Sequence, residues 1–405
     1  MSVSPGLKLA SFRMAAVGVS TVSMMVVARA LGPVGYGPYA AAAALFVLPQ
    51  SAGILGGDQL FLSGHIDVAA LRRLAARASL LTGALGVLIA IVHPSLTPEA
   101  RMTLILLSIS GTAEMARLPW LLEPQGLEQF NRRGRRELAA RCVTASALIV
   151  AAVSGLPAPG LAGFAAASNL CLTAGWVLTR ARAEALPRAE PLLPMLRKGA
   201  PYTATSLLYT AYVSMPMIVV ASVASAESTS FFRTASFVLL VGYVLPAALN
   251  GEVLRSLLYN VRRGRREAPV RLRHFLVTNV VAGGLAALGT WLLLGRVLEL
   301  LLGSAYAGVS ELATILALSL PANYVNSLLD NVLIAYGLVT RVAMIQGATL
   351  CFSVILVPWV TAEHGATGAA WSLLACELFA TTCYSLAHLR LRQRAGLGDQ
   401  AVLGV

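Results

Sequence analysis

Charge is scarce in this chain, and lysine is nearly missing. Charged residues make up 12% of the 405 positions, where a soluble domain carries about 25%. Lys8 and Lys198 are the only lysines. That little charge cannot cover a soluble surface, and it excludes an intrinsically disordered chain as well. Cysteine is also sparse. Cys142, Cys171, Cys351, Cys376 and Cys383 all lie in apolar stretches, and none has CxxC or CxxH spacing. Neither a disulfide framework nor a zinc site is expected. The five histidines fall near loops or helix ends, and no HExxH, nucleophile elbow, phosphate loop or paired-acid constellation occurs. An enzyme, a cofactor and a bound metal are therefore not expected.

What is present is apolar. Hydrophobic residues make up 57% of the chain, and the mean hydropathy is +0.74. The expected class is an all-α polytopic membrane protein. A spanning helix needs about 20 apolar residues. Cutting at charges, proline and glycine gives about twelve transmembrane helices, at roughly 10–31, 38–60, 74–93, 101–122, 138–156, 160–180, 199–222, 229–255, 273–302, 310–336, 340–361 and 366–389. Lys8 and Arg13 ahead of a run ending Ala28-Arg29-Ala30 mimic a secretion signal, but the run is long for one.

The net charge is +13, from 31 basic and 18 acidic residues. In a soluble protein this would suggest nucleic acid; here it reports orientation, and no nucleic-acid partner is expected. With the N-terminus inside, Arg29, Arg101, Arg233 and Arg296 fall outside and Arg117 lies within a span. All other basic residues face the cytoplasm. The positive-inside rule then puts both termini in the cytoplasm. The sequence RRGRRE occurs twice, at Arg132–Glu137 and Arg262–Glu267. It reads first as an anchor on anionic membrane lipids, and second as a site for an anionic headgroup.

The first outer turn reads Ala-Arg-Ala-Leu-Gly-Pro-Val-Gly-Tyr-Gly-Pro-Tyr-Ala over residues 28–40. Gly303-Ser304-Ala305-Tyr306 follows the ninth span, Gly365-Ala366-Thr367-Gly368 opens the twelfth, and Leu196–Pro201 opens the seventh. Together these resemble the polysaccharide-repeat-unit (Wzx-like) flippases of the multidrug/oligosaccharidyl-lipid/polysaccharide exporter superfamily. Two departures stand out. Ala226–Phe232, the turn before the eighth span, lacks the usual glycine and tyrosine. Met215-Pro216-Met217 occupies a region of the seventh span where the family often has an acid. The resemblance implies two six-helix bundles around a central cavity. Residues 1–181 would form the first bundle, 182–198 a cytoplasmic linker, 199–390 the second bundle and 391–405 a tail. A faint internal echo places Tyr39 opposite Phe232.

The resemblance also implies a cargo, a polyprenyl-diphosphate-linked oligosaccharide, moved across the bacterial cytoplasmic membrane. H+ or Na+ would be the coupling ion, and other polysaccharide-assembly membrane proteins would be partners. A diphosphate crossing hydrocarbon needs replacement of its hydration, for which the planar donor fork of arginine is suited. Ionisable residues inside spans are costly and face partners or cavities. Arg13 and Arg29 at the two ends of the first span, Arg117 in the fourth and Arg233 in the eighth are the candidate diphosphate contacts. Each of the first two reads equally as an interface anchor. Asn250 and Asn326 are candidate sugar contacts or helix–helix glue. Glu114, three residues before Arg117, is expected either to pair with it or to tune it. Asp330 and Glu377 are candidate coupling acids, or helix–helix hydrogen-bond partners. Pro216, Pro246 and Pro321 interrupt helices as hinges or passive kinks. The alternatives are a cation-coupled multidrug exporter of the same superfamily, and a membrane-embedded polysaccharide polymerase or ligase. The latter class usually needs a longer outer loop than any seen here.

Overall fold

A computed structural model describes residues 5–53, 61, 66–126, 129–180, 192–237, 239–240, 242–243, 246 and 268–396. Among the described residues every regular element is helical. The first half of the chain contains α1 (Pro5–Gly53), α2 (Val68–Val92), α3 (Pro98–Ala116), α4 (Leu118–Gly126), α5 (Phe130–Val153) and α6 (Ala158–Arg180). The second half contains α7 (Leu192–Val223), α8 (Ala226–Ala235), α9 (Ala268–Gly289), α10 (Gly295–Leu302), α11 (Val309–Ala317), α12 (Leu320–Ala335) and α13 (Val339–Gly396). Among the described residues, seven segments are long and apolar enough to cross a membrane. Their outward faces carry large apolar side chains, among them Leu80, Ile91, Val153, Trp291, Leu293, Ile355 and Trp359. The chain is a multi-pass membrane protein.

The two longest helices are each folded back on themselves. Straight, the 49 residues of α1 and the 58 of α13 would reach about 70 and 90 Å at 1.5 Å per residue, against a hydrocarbon core of about 30 Å. Each is broken at one glycine with positive φ, Gly32 at +68° and Gly365 at +61°. Side chains with a Cβ disfavour that region. The contacts show the reversal. Arg13 lies 3.6 Å from Glu137 of α5, while Gln50 reaches Arg141, one turn along α5, through a shared Glu114. Across Gly365, the rings of Phe352 and Phe379 stack at 4.7 Å.

Several boundaries differ from the expected ones, each for a local reason. After Gly32 the helix resumes at once, with Pro33 at its first position, where a missing N–H costs nothing. The fourth expected span is broken at Arg117, whose backbone caps the end of α3. RRGRRE at 132–137 is helical rather than a loop, so α5 begins well before residue 138. Residues 192–198 of the expected linker already belong to α7. Ala226–Phe232 is no turn but the body of α8, whose first turn is capped by the Ser225 hydroxyl accepting from Ser228 N. The ninth span widens into a π-helical stretch at Thr290–Leu294, and the tenth is split before Pro321, which opens α12. Asn250 and the second RRGRRE copy lie outside the described residues.

One end of the molecule is closed by a buried cluster drawn from both halves. It contains Met25, Tyr36, Tyr39 and Phe46 of α1, Met217 and Val220 of α7, Phe232 of α8, Tyr306, and Leu373 of α13. The turns at Leu31, Leu96, Leu156, Ala224 and Ala366 all border it. The remaining buried clusters stay within a single half. One joins Phe61, Leu71, Leu74 and Leu122; another joins Leu329, Leu333, Val342, Ala380 and Tyr384. The main contacts between halves are made by α1, against α7, α8 and α10. Along its second arm, Tyr39–Phe46 is buried without interruption. Its alanines let neighbouring backbones approach closely, the usual means of helix association in lipid.

Candidate functional site

Two polar centres interrupt the apolar interior, one in each half. The first is built where α1, α3 and α5 meet. Glu114, one turn before the end of α3, accepts from the Gln50 side-chain amide at 3.2 Å and from Arg141 Nη2 at 3.0 Å. The expected Glu114–Arg117 pair is not formed; the ion pair is with Arg141. Arg117 keeps helical φ/ψ and its N–H still bonds the Ala113 carbonyl; Glu114 instead gives its two oxygens to Gln50 and Arg141 of the neighbouring helices.

Arg117 itself is 2% exposed, and its buried Nε and Nη1 have no hydrogen-bond partner. It lies within electrostatic reach of both Glu114 and Arg141. A guanidinium withdrawn from water is costly unless paired and fully hydrogen-bonded. A neutral layer lies next to it. Asn169 of α6 donates to Ser110 Oγ at 2.8 Å, and Thr173 donates to the Ala113 carbonyl at 2.9 Å.

The second centre surrounds Glu377 on the second arm of α13, which is fully buried. Asn326 of α12 donates to its Oε2 at 2.8 Å and to its backbone carbonyl at 3.0 Å. Asn323 donates to Oε1 at 3.2 Å, and the Tyr212 hydroxyl approaches the same oxygen at 3.5 Å. All of these donors are neutral. The Oδ1 of Asn326 is buried without a partner. One turn along α12, Asp330 accepts from the Tyr384 hydroxyl at 3.4 Å. The structure thus brings Asp330, Glu377 and Asn326 together, and places Glu114 apart from them in the other half.

The other arginines sit elsewhere. Arg13 pairs with Glu137 at one end of α1's first arm. Arg29, at the other end, is exposed and donates to the Leu301 carbonyl at 3.1 Å, at the C-terminus of α10. Favourable charge placement at a helix C-terminus explains this contact, and it ties the two halves together. Arg233 lies over the Phe237 ring at 5.9 Å and beside Tyr36 of α1. Tyr306 adds a further tie between halves, its hydroxyl donating to the Ala28 carbonyl at 2.8 Å. In the first RRGRRE copy, Arg136 donates to the Trp120 carbonyl at 2.6 Å and covers its ring, and Arg133 faces Glu137 at 3.9 Å. Arg136 braces α4 against α5, Arg133 pairs within α5, and Arg132 and Arg135 are exposed.

No protein-family model and no curated protein sequence matches the chain. Solved structures do. A multidrug-resistance MATE-family transporter of the MOP superfamily, in an inward-facing conformation, superposes with TM-score 0.70 at 14% identity, over 95% of this chain and 96% of that one. The chain shares that transporter's fold. The lipid II flippase MurJ in an inward closed conformation gives TM-score 0.64 at 13% identity, over 92% of this chain and 87% of its own. An outward-facing MATE transporter gives 0.63 at 13% identity, over 96% of each chain.

Sequence reasoning missed Arg141, Gln50, Tyr212 and Tyr384. Arg141 fell inside the expected fifth span and still was counted with the cytoplasmic anchors; its position within the span was the usable signal. The tyrosines carried no signal of their own, since tyrosine is common both in cores and at interfaces.

Proposed function

We propose that this protein is a flippase that moves a polyprenyl-diphosphate-linked oligosaccharide repeat unit from the inner to the outer leaflet of the bacterial cytoplasmic membrane, by alternating access, for cell-surface or exopolysaccharide biosynthesis. The observation that carries this reading is Arg117, a buried guanidinium with two nitrogens unpartnered inside a membrane protein. A diphosphate supplies the acceptors that such a group lacks. In this reading twelve helices form two six-helix bundles, residues 1–181 and 199–390, around a central cavity. Both termini are cytoplasmic, so the closed end faces outward and the arrangement is inward-facing. The greater similarity to an inward-facing relative than to an outward-facing one supports this. A lipid II flippase of the same fold supports a lipid-linked cargo.

The Glu377 centre supports ion coupling. Among the described residues the donors to this carboxylate are all neutral, so H+ or Na+ can neutralise it during the cycle. The same observation favours a second reading, a cation-coupled multidrug exporter. No catalytic group is required by either. The test is mass spectrometry of polyprenyl-linked lipids in a depletion strain, with leaflet access probed by an impermeant sugar-modifying enzyme. One lipid-linked oligosaccharide accumulating on the inner leaflet is the expected result, with Arg117→Ala failing to complement. An unchanged lipid profile would move the assignment to the exporter. Single units accumulating on the outer leaflet would indicate a polymerase or ligase.

A further inference from the structure

The polar centre of the first half holds Arg117, Arg141 and Glu114, with Glu137, which pairs with Arg13 and Arg133, acting on Arg141 from further along α5. Glu114 is 17% exposed and spends one oxygen on Arg141, while Arg141 remains 43% exposed. Gln50 holds the other carboxylate oxygen. Arg117 stands within reach of both charges with its own donors unused. Arg117, the most deeply buried of these charges, makes no ion pair of its own, while Glu114 is held by Arg141. A purely structural ion pair would leave no such remainder.

We propose that Glu114 is a built-in counter-ion that occupies Arg141 until an anionic phosphate group displaces it, so that Arg117 and Arg141 together form the anion site and Glu114 is its competing internal ligand. This rests on the reading of Arg117 as a diphosphate contact and extends it to a residue pair and a release mechanism. Two arginine forks match the two ends of a diphosphate better than one. A carboxylate and a phosphate cannot share Arg141 at close range, because like charges disfavour each other. Gln50 gives the displaced carboxylate a neutral partner, so Glu114 can leave Arg141 without becoming unsatisfied. When the cargo departs, Glu114 returns to Arg141, which lowers the cost of the empty site and drives the anion off. Glu114 thereby limits affinity, which a carrier needs if it is to release what it binds.

The test is binding of farnesyl diphosphate to the full-length protein in lipid nanodiscs, by calorimetry, with inorganic pyrophosphate and farnesol as companion probes. Glu114→Gln is expected to bind farnesyl diphosphate at least tenfold tighter than the unmodified protein. Arg117→Ala and Arg141→Gln are each expected to bind at least tenfold weaker. In an Arg141→Gln background the gain from Glu114→Gln shrinks, because there is no longer a shared arginine to contest. Should Glu114→Gln fail to fold, Glu114→Asp, which draws the carboxylate back by one methylene, is expected to give a smaller tightening in the same direction. Pyrophosphate following the same order assigns the site to the free headgroup; response to farnesyl diphosphate alone assigns it to the lipid-linked form. Unchanged or weaker binding in both Glu114 variants overturns the counter-ion role while leaving Arg117 as a diphosphate contact. Farnesol bound as well as farnesyl diphosphate, or no diphosphate binding sensitive to Arg117, overturns the underlying reading itself.

Discussion

Replacing Gly37 with alanine should force the closed end open. Gly37 lies on the second arm of α1, where its Cα faces the start of α8. A Cβ at this position would sit 2.5 Å from the Ala226 carbonyl oxygen and 2.6 Å from the Ala226 Cβ. Non-bonded carbons pack at about 3.5–4.0 Å, so the two helices must part by roughly 1 Å. Both partners are backbone or Cβ atoms, and neither can swing aside. Overpacking of this kind costs about 1–3 kcal/mol. At 1.4 kcal/mol per factor of ten, that shifts a closed-to-open equilibrium roughly 5- to 150-fold. In the open arrangement the strain is absent, while alanine's helix propensity acts on both arrangements alike and leaves this equilibrium unchanged. Spin labels at Val34 and Ser225, both exposed near this end, would report the distance across it in a cysteine-depleted background. The expected result is growth of a longer-distance population in Gly37→Ala. Gly35→Ala is the control, since its Cβ would meet only the Leu31 Cβ at 3.4 Å. Identical distance distributions in both variants and the parent would refute the idea that this contact holds the halves together.

Other ties at the closed end make smaller predictions. Tyr306→Phe removes the bond to the Ala28 carbonyl and leaves that acceptor buried, which should destabilise the closed form by about 1–2 kcal/mol and lengthen the same spin-label distance. Glu377→Ala strands the Asn323 and Asn326 amides and should lower thermal stability by about 2–3 kcal/mol. Glu377→Gln should preserve most of that stability while abolishing ion-driven transport in proteoliposomes. If Glu377→Gln transports normally under an imposed gradient, Glu377 serves only to join α12 and α13. Gly365→Ala forces a side chain into the left-handed region at +61° and should cost about 1–2 kcal/mol, read as a lowered melting temperature.

The all-helical membrane character and the reversals near Gly32 and Gly365 were legible because they follow from one-dimensional rules. Apolar runs have to match the bilayer, and the reversals at Gly32 and Gly365 sit where glycine alone permits the backbone. Pro321 signals the interruption of the tenth span, as a hinge or a kink, and the structure splits the span there. The site was less legible, since pairing between charges depends on which helices meet. Glu114 and Arg117 are three apart, and helical geometry alone would pair them. Gln50 of α1 and Arg141 of α5 take the two oxygens of Glu114 instead. Arg141 was invisible as Glu114's partner for the same reason, because nothing local ties residues 27 apart. On α12 the outcome was kinder. Asn323, Asn326 and Asp330 share one helical face by spacing, so their convergence on Glu377 and Tyr384 follows once α12 meets α13.

The two polar centres differ in kind, and that difference constrains any mechanism. The first-half centre has a spare guanidinium; the second-half centre is an acid among neutral donors. A single substrate cannot satisfy both, since an anion suited to Arg117 is repelled by a charged Glu377. Two ligands of opposite charge can. The main bridge between the halves is α1, whose first arm reaches α5 through Arg13 and whose second arm touches the first centre through Gln50. Its turn region contacts α8 and Tyr306 at the closed end. Displacing Glu114 releases its hold on Gln50 or transfers all of its hydrogen bonding there, so occupancy of the anion site acts directly on α1. The second arm of α1 is packed without a gap from Tyr39 to Phe46, and close-packed helices move as rigid bodies rather than bending locally. A change at Gln50 is then felt at Gly37. This route predicts that Gln50→Ala, which cuts the link and removes the displaced carboxylate's neutral partner, weakens farnesyl diphosphate binding. It should also abolish the ligand-induced change in the Val34–Ser225 distance. A ligand response that survives intact in Gln50→Ala would show that the coupling runs through another helix.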